Sequence, residues 1–439
     1  MNEAPGDGAQ PTDEGQWLHD IARELFPFHR SLTGDGVRQT LSILKRHLPG
    51  LTIHEIPSGT RVLDWTIPDE WRIDAAYIET SDGRRIADVR ENNVHVMSYS
   101  TPVDVVVDLD ELNEHLHSDE EIPDAIPYVT SYYNRDWGFC ITQTERDGLR
   151  DGTYHAVIEG DLAPGSMTYA DLVISGESSE EILISTYVCH PSLANNELSG
   201  PMVSLGLASW LAREPRRYTY RFVFVPETIG AITYMATHLE HLRTNVVGAI
   251  NLTCIGDDGD YSYLASRRGD TALDRIAKRV IATREPRRIY SYLDRGSDER
   301  QYGMPGIDLP VISLMRTKYG VYPEYHTHLD DLTVVTPSGL QGGLDLVRDC
   351  IVELENSSFY QAAVIGEPQL GKRGLYHSVH ARTVSETILL RTHILAYSDG
   401  QHSLQDIAEM TGAPFAEIQA LATELEDHAL LVRTPLTSR

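Results

Sequence analysis

The chain has 439 residues, with 65 Asp and Glu against 37 Lys and Arg, and a formal net charge of −28 at pH 7. This acidic excess argues against broad binding to nucleic acid or to an anionic membrane surface, because both require a positive protein surface. The length predicts two or three domains.

The four cysteines are scattered along the chain, at Cys140, Cys189, Cys254 and Cys350. They form no CxxC pair or other zinc-finger spacing, so we expect reduced, buried thiols and neither disulfides nor structural zinc. The N-terminal residues are polar, and no apolar run approaches the length of a membrane span. We therefore expect a cytoplasmic protein.

Residues 1–15 are rich in Gly, Pro and acid, which predicts a disordered tail. Apolar spacing predicts helices within residues 16–50, assigned to the main domain. Residues 51–158 contain short alternating strands and turn signals, which predict an inserted, small β-rich domain. Residues 159–365 alternate short apolar strands with helices, which is typical of an α/β domain with a mostly parallel or mixed sheet flanked by helices.

Residues 373–435 have the pattern of a winged helix-turn-helix. Ser403 is predicted to cap its second helix, with Asp406 three residues later and Gly412 as the stop. The third helix, residues 414–428, contains four acidic residues and no Lys or Arg, so it would repel DNA phosphates. We therefore predict no nucleic-acid binding, and expect this domain to serve protein interaction or homo-oligomerisation.

Imidazole and carboxylate side chains follow several of the predicted strands. STYVCHPS places His190 after one strand, FVFVPET places Glu227 after another, and YHTHLDDL brings His326 after the last strand region. In α/β sheets ligands bind beyond the carboxyl ends of the strands, so we expect these groups to converge at one rim. A single such histidine is usually structural, but the joint pattern favours a metal or acid–base site.

The same segments carry a resemblance. CHPSLANNELSG, VFVPETIGAITYM, GAINLTCIG, RGSDERQYGMPGIDLPVISL and YHTHLDDL follow the motif order of the co-catalytic zinc aminopeptidases, and the chain resembles that family. FPFHRSLTGDGVRQTL, VLDWTIPDEW and EPQLGKRGLY look like signatures of a bacterial subgroup. The resemblance implies a zinc-aminopeptidase-like mixed sheet flanked by helices, an inserted β-rich domain and a C-terminal winged helix. It does not imply a substrate.

The resemblance also implies roles for individual residues. His190 and His326 match the first and last zinc-ligating histidines, and Glu227 matches the glutamate that acts as general base toward the attacking water. Asp298 matches the acid of a Ser-Asp pair that precedes the substrate-pocket segment. Asp298 and Tyr325, the neighbour of His326, are therefore candidate substrate-binding residues.

Three expected carboxylate positions are neutral in this sequence. The metal-bridging aspartate falls on Asn196, the glutamate of the second metal on Thr228, and the aspartate of the first metal on Thr253. The resemblance therefore implies at most one divalent metal, expected to be zinc, because most of the negative charge of a two-metal site is missing.

His190 and His326 are the expected ligands of this metal, with Glu197 as the leading third ligand. Asn196 and Asp258 are the alternatives for that third place. Asn196 is also a candidate for contact with the substrate.

Two further features have two interpretations each. Arg30 in HRSLTG either clamps a substrate carboxylate with its forked guanidinium or pairs with a structural acid. The aromatic residues of SYYNRDWGF, among them Tyr132 and Trp137, either line a pocket or belong to a core. A pocket role predicts partial exposure and a direction toward His326.

These features predict a metal-dependent hydrolase of the aminopeptidase or amidohydrolase type, acting on a small peptide-like or amino-acylated substrate with Glu227 as general base. The alternative is a binding or scaffold protein that keeps the fold without hydrolytic activity, which the neutral residues at 196, 228 and 253 motivate. A transcriptional regulator is disfavoured by the acidic third helix of the C-terminal domain.

Overall fold

The computed structural model describes residues 13–376 and 385–437. Residues 1–12 of the predicted tail lie outside this range. The first helix begins at Glu14, two residues before the predicted range of 16–50, because the side chain of Asp13 accepts a hydrogen bond from the backbone nitrogen of Gln16 and caps the helix.

The described α-helices range in length from four residues to 20. In chain order they are α1 (Glu14–Leu25), α2 (Asp35–His47), α3 (Leu109–Glu114), α4 (Gln143–Asp147), α5 (Ser199–Leu211), α6 (Ile229–Asn245), α7 (Ala272–Ala282), α8 (Glu299–Tyr302), α9 (Pro337–Asn356), α10 (Glu386–Tyr397), α11 (Leu404–Thr411) and α12 (Phe415–Asp427). One turn of π-helix, Ala194–Leu198, leads directly into α5.

The described strands are mostly short. In chain order they are β1 (Thr52–Pro57), β2 (Arg61–Val62), β3 (Trp65–Thr66), β4 (Glu70–Thr80), β5 (Arg85–Ile86), β6 (Val103–Asp108), β7 (Leu116–His117), β8 (Phe139–Cys140), β9 (Thr153–Ala163), β10 (Ser166–Ile174), β11 (Glu181–Tyr187), β12 (Thr219–Val225), β13 (Val246–Leu252), β14 (Tyr261–Leu264), β15 (Arg287–Tyr290), β16 (Val311–Met315), β17 (Phe359–Ala362), β18 (Asp399–Ser403) and β19 (Leu431–Thr434).

An eight-stranded mixed sheet forms the centre of the main domain, in the order β1-β10-β12-β11-β13-β16-β14-β15. Its four middle strands, β12, β11, β13 and β16, are parallel, so their carboxyl ends share one edge. These strands are buried on both faces, which explains why they read as continuous apolar runs in the sequence. The predicted α/β fold class is confirmed.

The two faces of this sheet belong to two different cores. Side chains alternate along β11, so Ile182 and Ile184 face a core that contains helices α1, α5, α7 and α9. Leu183 faces the other core, which contains α6 and residues such as Ile78 and Phe139 from the β-rich part of the chain. The β-rich part is therefore packed directly on the main sheet.

The β-rich part contains a four-stranded antiparallel sheet, in the order β5-β4-β9-β6. The strand β1 lies within the range predicted for this part, but it pairs with β10 at the edge of the large sheet. The large sheet thus takes its first strand from the chain segment just after α2.

The C-terminal part has the winged-helix arrangement of α10, α11 and α12 with a three-stranded sheet, β18-β17-β19. Its central strand is Phe359–Ala362, which precedes the predicted start at residue 373. The predicted capping of α11 is confirmed: Ser403 and Asp406 form a capping box, and Gly412 ends the helix in a left-handed conformation.

The structure also tests two predictions made from composition. All four cysteines are buried and unpaired, as expected. No helix in the described ranges is both long enough and apolar enough to cross a bilayer.

Candidate metal centre

The ends of the central parallel strands bring three predicted site residues together. His190 follows β11, Glu227 follows β12, and His326 lies in the loop after β16. The ring centroids of His190 and His326 are 5.7 Å apart, and Oε2 of Glu227 lies 3.6 Å from Nε2 of His190. Sequence reasoning from strand ends therefore located the rim at which these residues converge.

The carboxylate of Glu197 holds His190 at its backbone nitrogen and at the Nδ1 side of its ring. Oε2 of Glu197 accepts hydrogen bonds of 2.9 Å from both the backbone nitrogen and Nδ1 of His190. A carboxylate accepts here, so the Nδ1 proton is held toward Glu197 and Nε2 is left toward Glu227. Burial opposes the charged imidazolium, but Cys189 and Glu197 raise the pKa of His190 well above its usual value.

The predicted role of Arg30 as a substrate clamp is wrong. Its side chain is fully buried, and Nε lies 3.2 Å from Oε1 of Glu197. Nε donates to the carbonyl of His190 at 3.0 Å, and a terminal nitrogen donates to the carbonyl of Leu25 at 2.6 Å. The alternative interpretation, a pair with a structural acid, is the one the structure shows, because the guanidinium neutralises the buried Glu197.

The His326 loop is held by the β-rich part of the chain. The backbone nitrogen of Tyr128 donates to the carbonyl of His326 at 2.7 Å, and Pro127 bridges to Thr327. The backbone nitrogen of Ile126 donates to Nδ1 of His328 at 3.0 Å. His326 itself has a φ of +56°, a conformation that is costly for a non-glycine residue and that these contacts maintain.

Aromatic rings surround the two histidines. Tyr128 lies edge-on to both imidazoles, with ring centroids 5.3 Å from His190 and 5.4 Å from His326. Tyr325 stacks on His326 at 4.0 Å. Sequence reasoning singled out Tyr132 but missed Tyr128, although both lie in the segment YVTSYYNRDWGF.

The partial exposure of Tyr132 agrees with the interpretation that this aromatic segment lines a pocket. Tyr132 is 41% exposed, and burial, followed by the nearby Cys189 and Glu227, raises the pKa of its phenol, while the charge of Arg300 opposes that rise. Trp137, by contrast, stacks on His115 at 3.7 Å within the β-rich part. The aromatic segment therefore contributes to the rim through Tyr128 and Tyr132.

Two of the neutral positions are linked by a tyrosine. The hydroxyl of Tyr187 donates to Oδ1 of Asn196 at 3.0 Å and is also hydrogen-bonded to Oγ1 of Thr253. Nδ2 of Asn196 is buried and has no hydrogen-bond partner within the described ranges. Asp330 holds the preceding turn, because its carboxylate accepts from the backbone nitrogens of Asn195 and Asn196 at 2.7 and 2.9 Å.

Asp258 does not approach the histidines as an alternative third ligand would. It is exposed, and its carboxylate accepts from the hydroxyls of Thr336 and Ser338, at the start of α9. This acid is a capping group for the helix, so its predicted role as a ligand is wrong.

Asp298 and Thr228 lie on the far side of Glu227. Asp298 is fully buried, and Oδ1 accepts from the backbone nitrogen of Thr228 at 2.7 Å, whereas Oδ2 has no hydrogen-bond partner in the described part of the chain. Burial and the charge of Glu227 raise the pKa of Asp298 well above its usual value. Oγ1 of Thr228 accepts from a terminal nitrogen of Arg300 at 2.8 Å, a contact that sequence reasoning did not foresee.

One group of three side chains has ligand atoms close together: in the described ranges, those of Cys189, His190 and Glu197 lie within 4.8 Å of one another. Oε2 of Glu197 already accepts from His190, and Oε1, which accepts no hydrogen bond within the described residues, lies 3.2 Å from Nε of Arg30, whose positive charge would repel a metal ion. Burial raises the pKa of Cys189 to about 11, which keeps it a neutral thiol. This group does not fit a metal.

The opposite side of His190 fits one ion better. Nε2 of His190 and the imidazole of His326 are donors of the kind that zinc and similar ions take, and the carboxylate of Glu227 lies 3.6 Å from that Nε2. Burial and the charge of His190 lower the pKa of His326 to about 3, which favours a neutral imidazole, whereas an ion would have to displace the proton that the raised pKa of His190 favours. A second ion would need carboxylates where Asn196, Thr228 and Thr253 stand.

Comparison with known proteins gives the same fold. Residues 19–357 match a family described as a domain of unknown function, DUF4910, and residues 358–433 match a winged helix-turn-helix family. A Clostridium acetobutylicum protein, named as a polysaccharide biosynthesis protein with an aminopeptidase-like domain, is 42% identical over 419 residues, which cover 94% of this chain and 95% of that protein.

Solved structures of other proteins are similar in fold to this chain. A crystal structure from Clostridium acetobutylicum, named as that of a peptidase, has a TM-score of 0.80 at 41% identity and covers 96% of both chains. BSAP, a zinc aminopeptidase from Bacillus subtilis, has a TM-score of 0.58 at 12% identity, over 79% of this chain and 96% of that one. An M28 peptidase from Shewanella amazonensis has a TM-score of 0.55 at 11% identity, over 81% and 97%.

At 12% and 11% identity, the Bacillus and Shewanella structures show a shared fold. BSAP is named as a zinc aminopeptidase, and zinc is a divalent metal. The resemblance predicted from the motifs is confirmed. The chain belongs to the DUF4910 family, with an aminopeptidase-like domain followed by a winged helix-turn-helix.

Proposed function

We propose that this protein is a metal-dependent hydrolase that cleaves an amide bond in a small peptide-like or amino-acylated substrate, using one divalent ion, expected to be zinc. The observation that carries the proposal is the convergence of His190, His326 and Glu227 at the carboxyl edge of the parallel strands.

His190 and His326 are the proposed protein ligands of the ion. When bound, the ion would supply Lewis-acid polarisation of the substrate carbonyl. Glu197 is not retained as the third ligand, because Oε2 accepts from His190 and the guanidinium of Arg30 lies 3.2 Å from Oε1. We assign it instead to the orientation of the His190 imidazole, a role that carboxylates commonly have at metal sites.

Glu227 is the proposed general base. Its side chain is 18% exposed, so water and substrate reach it, while its carboxylate stays beside His190. Burial raises its pKa, and the charges of His190 and Arg300 oppose that rise. The carboxylate takes a proton from the attacking water and delivers it to the leaving nitrogen.

Tyr128 and Tyr325 form the apolar wall around the histidines, and Tyr128 comes from the β-rich part of the chain. We propose that this wall limits the size of the substrate. A small pocket lined by rings favours a compact acylated molecule over a folded protein.

One observation favours a second candidate, a binding protein without hydrolytic activity. The hydroxyl of Tyr187 joins Asn196 to Thr253, so these two positions form a neutral hydrogen-bonded cluster without carboxylates. Such a cluster is compatible with ligand binding in a site that no longer hydrolyses its ligand.

Metal analysis combined with an activity screen separates the two candidates. The purified chain is analysed for bound metal, and hydrolysis of N-acyl and aminoacyl amides is measured with added zinc, manganese or cobalt. The variants His190→Ala and His326→Ala are compared with His155→Ala as a control. His155 is paired with Asp104 in the four-stranded antiparallel sheet of the β-rich part.

The hydrolase proposal expects close to one bound ion per chain, lost together with activity in both site variants and retained in the control. Protein that carries no stoichiometric metal, with turnover unaffected by His190→Ala, would rule the proposal out. Ligand binding without any turnover in the metal-loaded protein would support the binding-protein candidate.

A further inference from the structure

Arg300 is an exposed cation beside the candidate metal centre. It belongs to α8, and a terminal nitrogen of its guanidinium donates to Oγ1 of Thr228 at 2.8 Å. Thr228 follows Glu227 directly in the chain and has a φ of +65°, so the backbone turns sharply at this point. The hydrogen bond holds the guanidinium next to the proposed general base.

Within the described ranges, no ion pair of 4.0 Å or less joins the Arg300 guanidinium to a carboxylate. The neighbouring Glu299 is buried, with Oε1 bound by the hydroxyl of Tyr319 at 2.8 Å and Oε2 bound by the side chain of Asn251 at 3.0 Å. Glu299 is therefore turned into the protein. Most of the N–H groups of Arg300 are left available to an incoming ligand.

The positive charge of Arg300 reaches the site. Burial raises the pKa of Glu227, and the charge of Arg300 is among the opposing influences. Burial likewise raises the pKa of Asp298 and of the rim residue Tyr132, and Arg300 opposes both rises. The hydrogen bond to Thr228, the residue after Glu227, places the guanidinium at the site, and these pKa directions agree with that position.

Position 228 is one of the three at which the resemblance to zinc aminopeptidases leads to the expectation of a carboxylate. In this chain it is a threonine that accepts a hydrogen bond from a guanidinium. A guanidinium therefore contacts the position at which the family pattern implies a carboxylate. An aminopeptidase substrate has a free ammonium beside the scissile bond, and Arg300 would repel such a group.

We infer that Arg300 binds an anionic group of the substrate, a carboxylate or a phosphate, and that the protein takes N-acylated anions in preference to peptides with a free amino terminus. The assignment of this contact to a substrate rests on the proposed hydrolase function. A guanidinium suits both anions, because its fork of N–H donors matches two oxygens at once.

Matched pairs of small molecules test the inference by binding, without requiring turnover. The carboxylate pair is N-acetyl-leucine and N-acetyl-leucinamide, which differ only in the charge of the terminal group. The phosphate pair is N-acetylglucosamine 1-phosphate and N-acetylglucosamine, chosen because a related protein is named for polysaccharide biosynthesis. Leucinamide, with its free ammonium, represents an aminopeptidase substrate.

Dissociation constants are measured by calorimetry on the full chain and on the variants Arg300→Met and Arg300→Lys. Arg295→Met is the matched control, because Arg295 is also exposed, lies five residues earlier in the chain and donates to the carbonyl of Tyr292 in its own loop.

We expect one of the two anions to bind about 10- to 100-fold more tightly than its neutral partner, as for hydrogen bonds to a charged group. This ratio should fall to near one in Arg300→Met, be partly restored in Arg300→Lys and be unchanged in Arg295→Met. The pair that shows the preference identifies the anion as carboxylate or phosphate.

Equal affinities within both pairs in the unaltered protein would overturn the inference. So would an anion preference that survives in Arg300→Met, a preference for leucinamide, or no binding of either anion. Metal-dependent hydrolysis of neutral amides, with kinetics unchanged in Arg300→Met, would refute this inference and leave the proposed function standing. An anion preference that depends on Arg300, in protein that holds no metal, would support anion binding by Arg300 and refute the proposed hydrolase function.

Discussion

The carboxylate of Glu197 fixes both the backbone and the ring of His190, since Oε2 lies 2.9 Å from the backbone nitrogen and 2.9 Å from Nδ1. Both residues are almost fully buried. This contact sets which ring nitrogen is free, and so it orients the face of His190 that we assign to the metal.

Glu197→Gln is expected to weaken metal binding about 10- to 100-fold, because an amide is a poorer acceptor for the Nδ1 proton and can turn its NH₂ toward the ring. Competition with a chromogenic chelator measures the affinity. Glu55→Gln, which makes the same change at an acid paired with Arg38, is the control. Unaltered affinity in Glu197→Gln would contradict the assigned orienting role.

Arg30→Met is expected to lower the free energy of unfolding by about 3 to 5 kcal/mol, because the buried Glu197 loses its counter-charge. Urea unfolding measures this change, with Arg72→Met as a control at an exposed ion pair. The earlier substrate-clamp interpretation makes a different prediction, namely unchanged stability and a raised KM, and finding that combination would restore it.

Glu227→Gln is expected to lower turnover by about 10²- to 10⁴-fold, the usual range for the loss of a positioned general base. Bound metal and the unfolding midpoint should stay close to those of the unaltered protein. Steady-state kinetics and metal analysis measure these quantities side by side. Glu324→Gln makes the same change in the loop that carries His326, and equal turnover in the two variants would remove Glu227 from the mechanism.

His29 is expected to make the protein less stable in mild acid. Burial, followed by the charge of Arg30, lowers its pKa from 6.5 to about 4. Between these values the unfolded chain binds a proton that the folded chain does not, so stability falls as the pH falls from 6.5, by up to about 3 kcal/mol at pH 4.

Urea unfolding of the unaltered protein and of His29→Gln at neutral pH and at pH values below 6.5 measures this contribution. The stability of His29→Gln should depend less steeply on pH through that window. Parallel pH profiles for the two proteins would show that His29 does not contribute.

The winged helix is docked on the main domain through Asp406. Its carboxylate lies 3.0 Å from Nε of Arg275 and 2.7 Å from a terminal nitrogen of Arg279, and only 2% of its side chain is exposed. Asp406→Asn should therefore destabilise the protein by about 1.5 to 3 kcal/mol, since Arg275 and Arg279 lose this charged partner and keep only Asp270, Glu353 and Glu409. Differential scanning calorimetry measures the loss, and the exposed Asp427→Asn on α12 is the control. A melting curve unchanged by Asp406→Asn would mean that the docking depends on other contacts.

Local features of the sequence anticipated much of this fold. The caps of α11 depend on residues within a few positions of one another, Ser403, Asp406 and Gly412, so they could be read directly. The buried strands are short apolar runs, and parallel strands must end at one edge, so the convergence of His190, Glu227 and His326 followed without coordinates. The oligomeric role of the acidic winged helix stays a prediction.

The sequence by itself therefore determined the fold class and the rim on which the site lies, because periodicity, caps and strand ends are local properties of the chain. Only the tertiary structure decided what each side chain contacts there. Arg30 and His190 are 160 residues apart, and nothing local indicates that this arginine neutralises Glu197. The same holds for Tyr128, which another part of the chain brings between the histidines, and for Arg300 on Thr228. Long-range packing sets these side-chain directions. For this reason Glu197, predicted as a ligand, is assigned to positioning His190, and Arg300, which the sequence did not single out, is a proposed substrate contact.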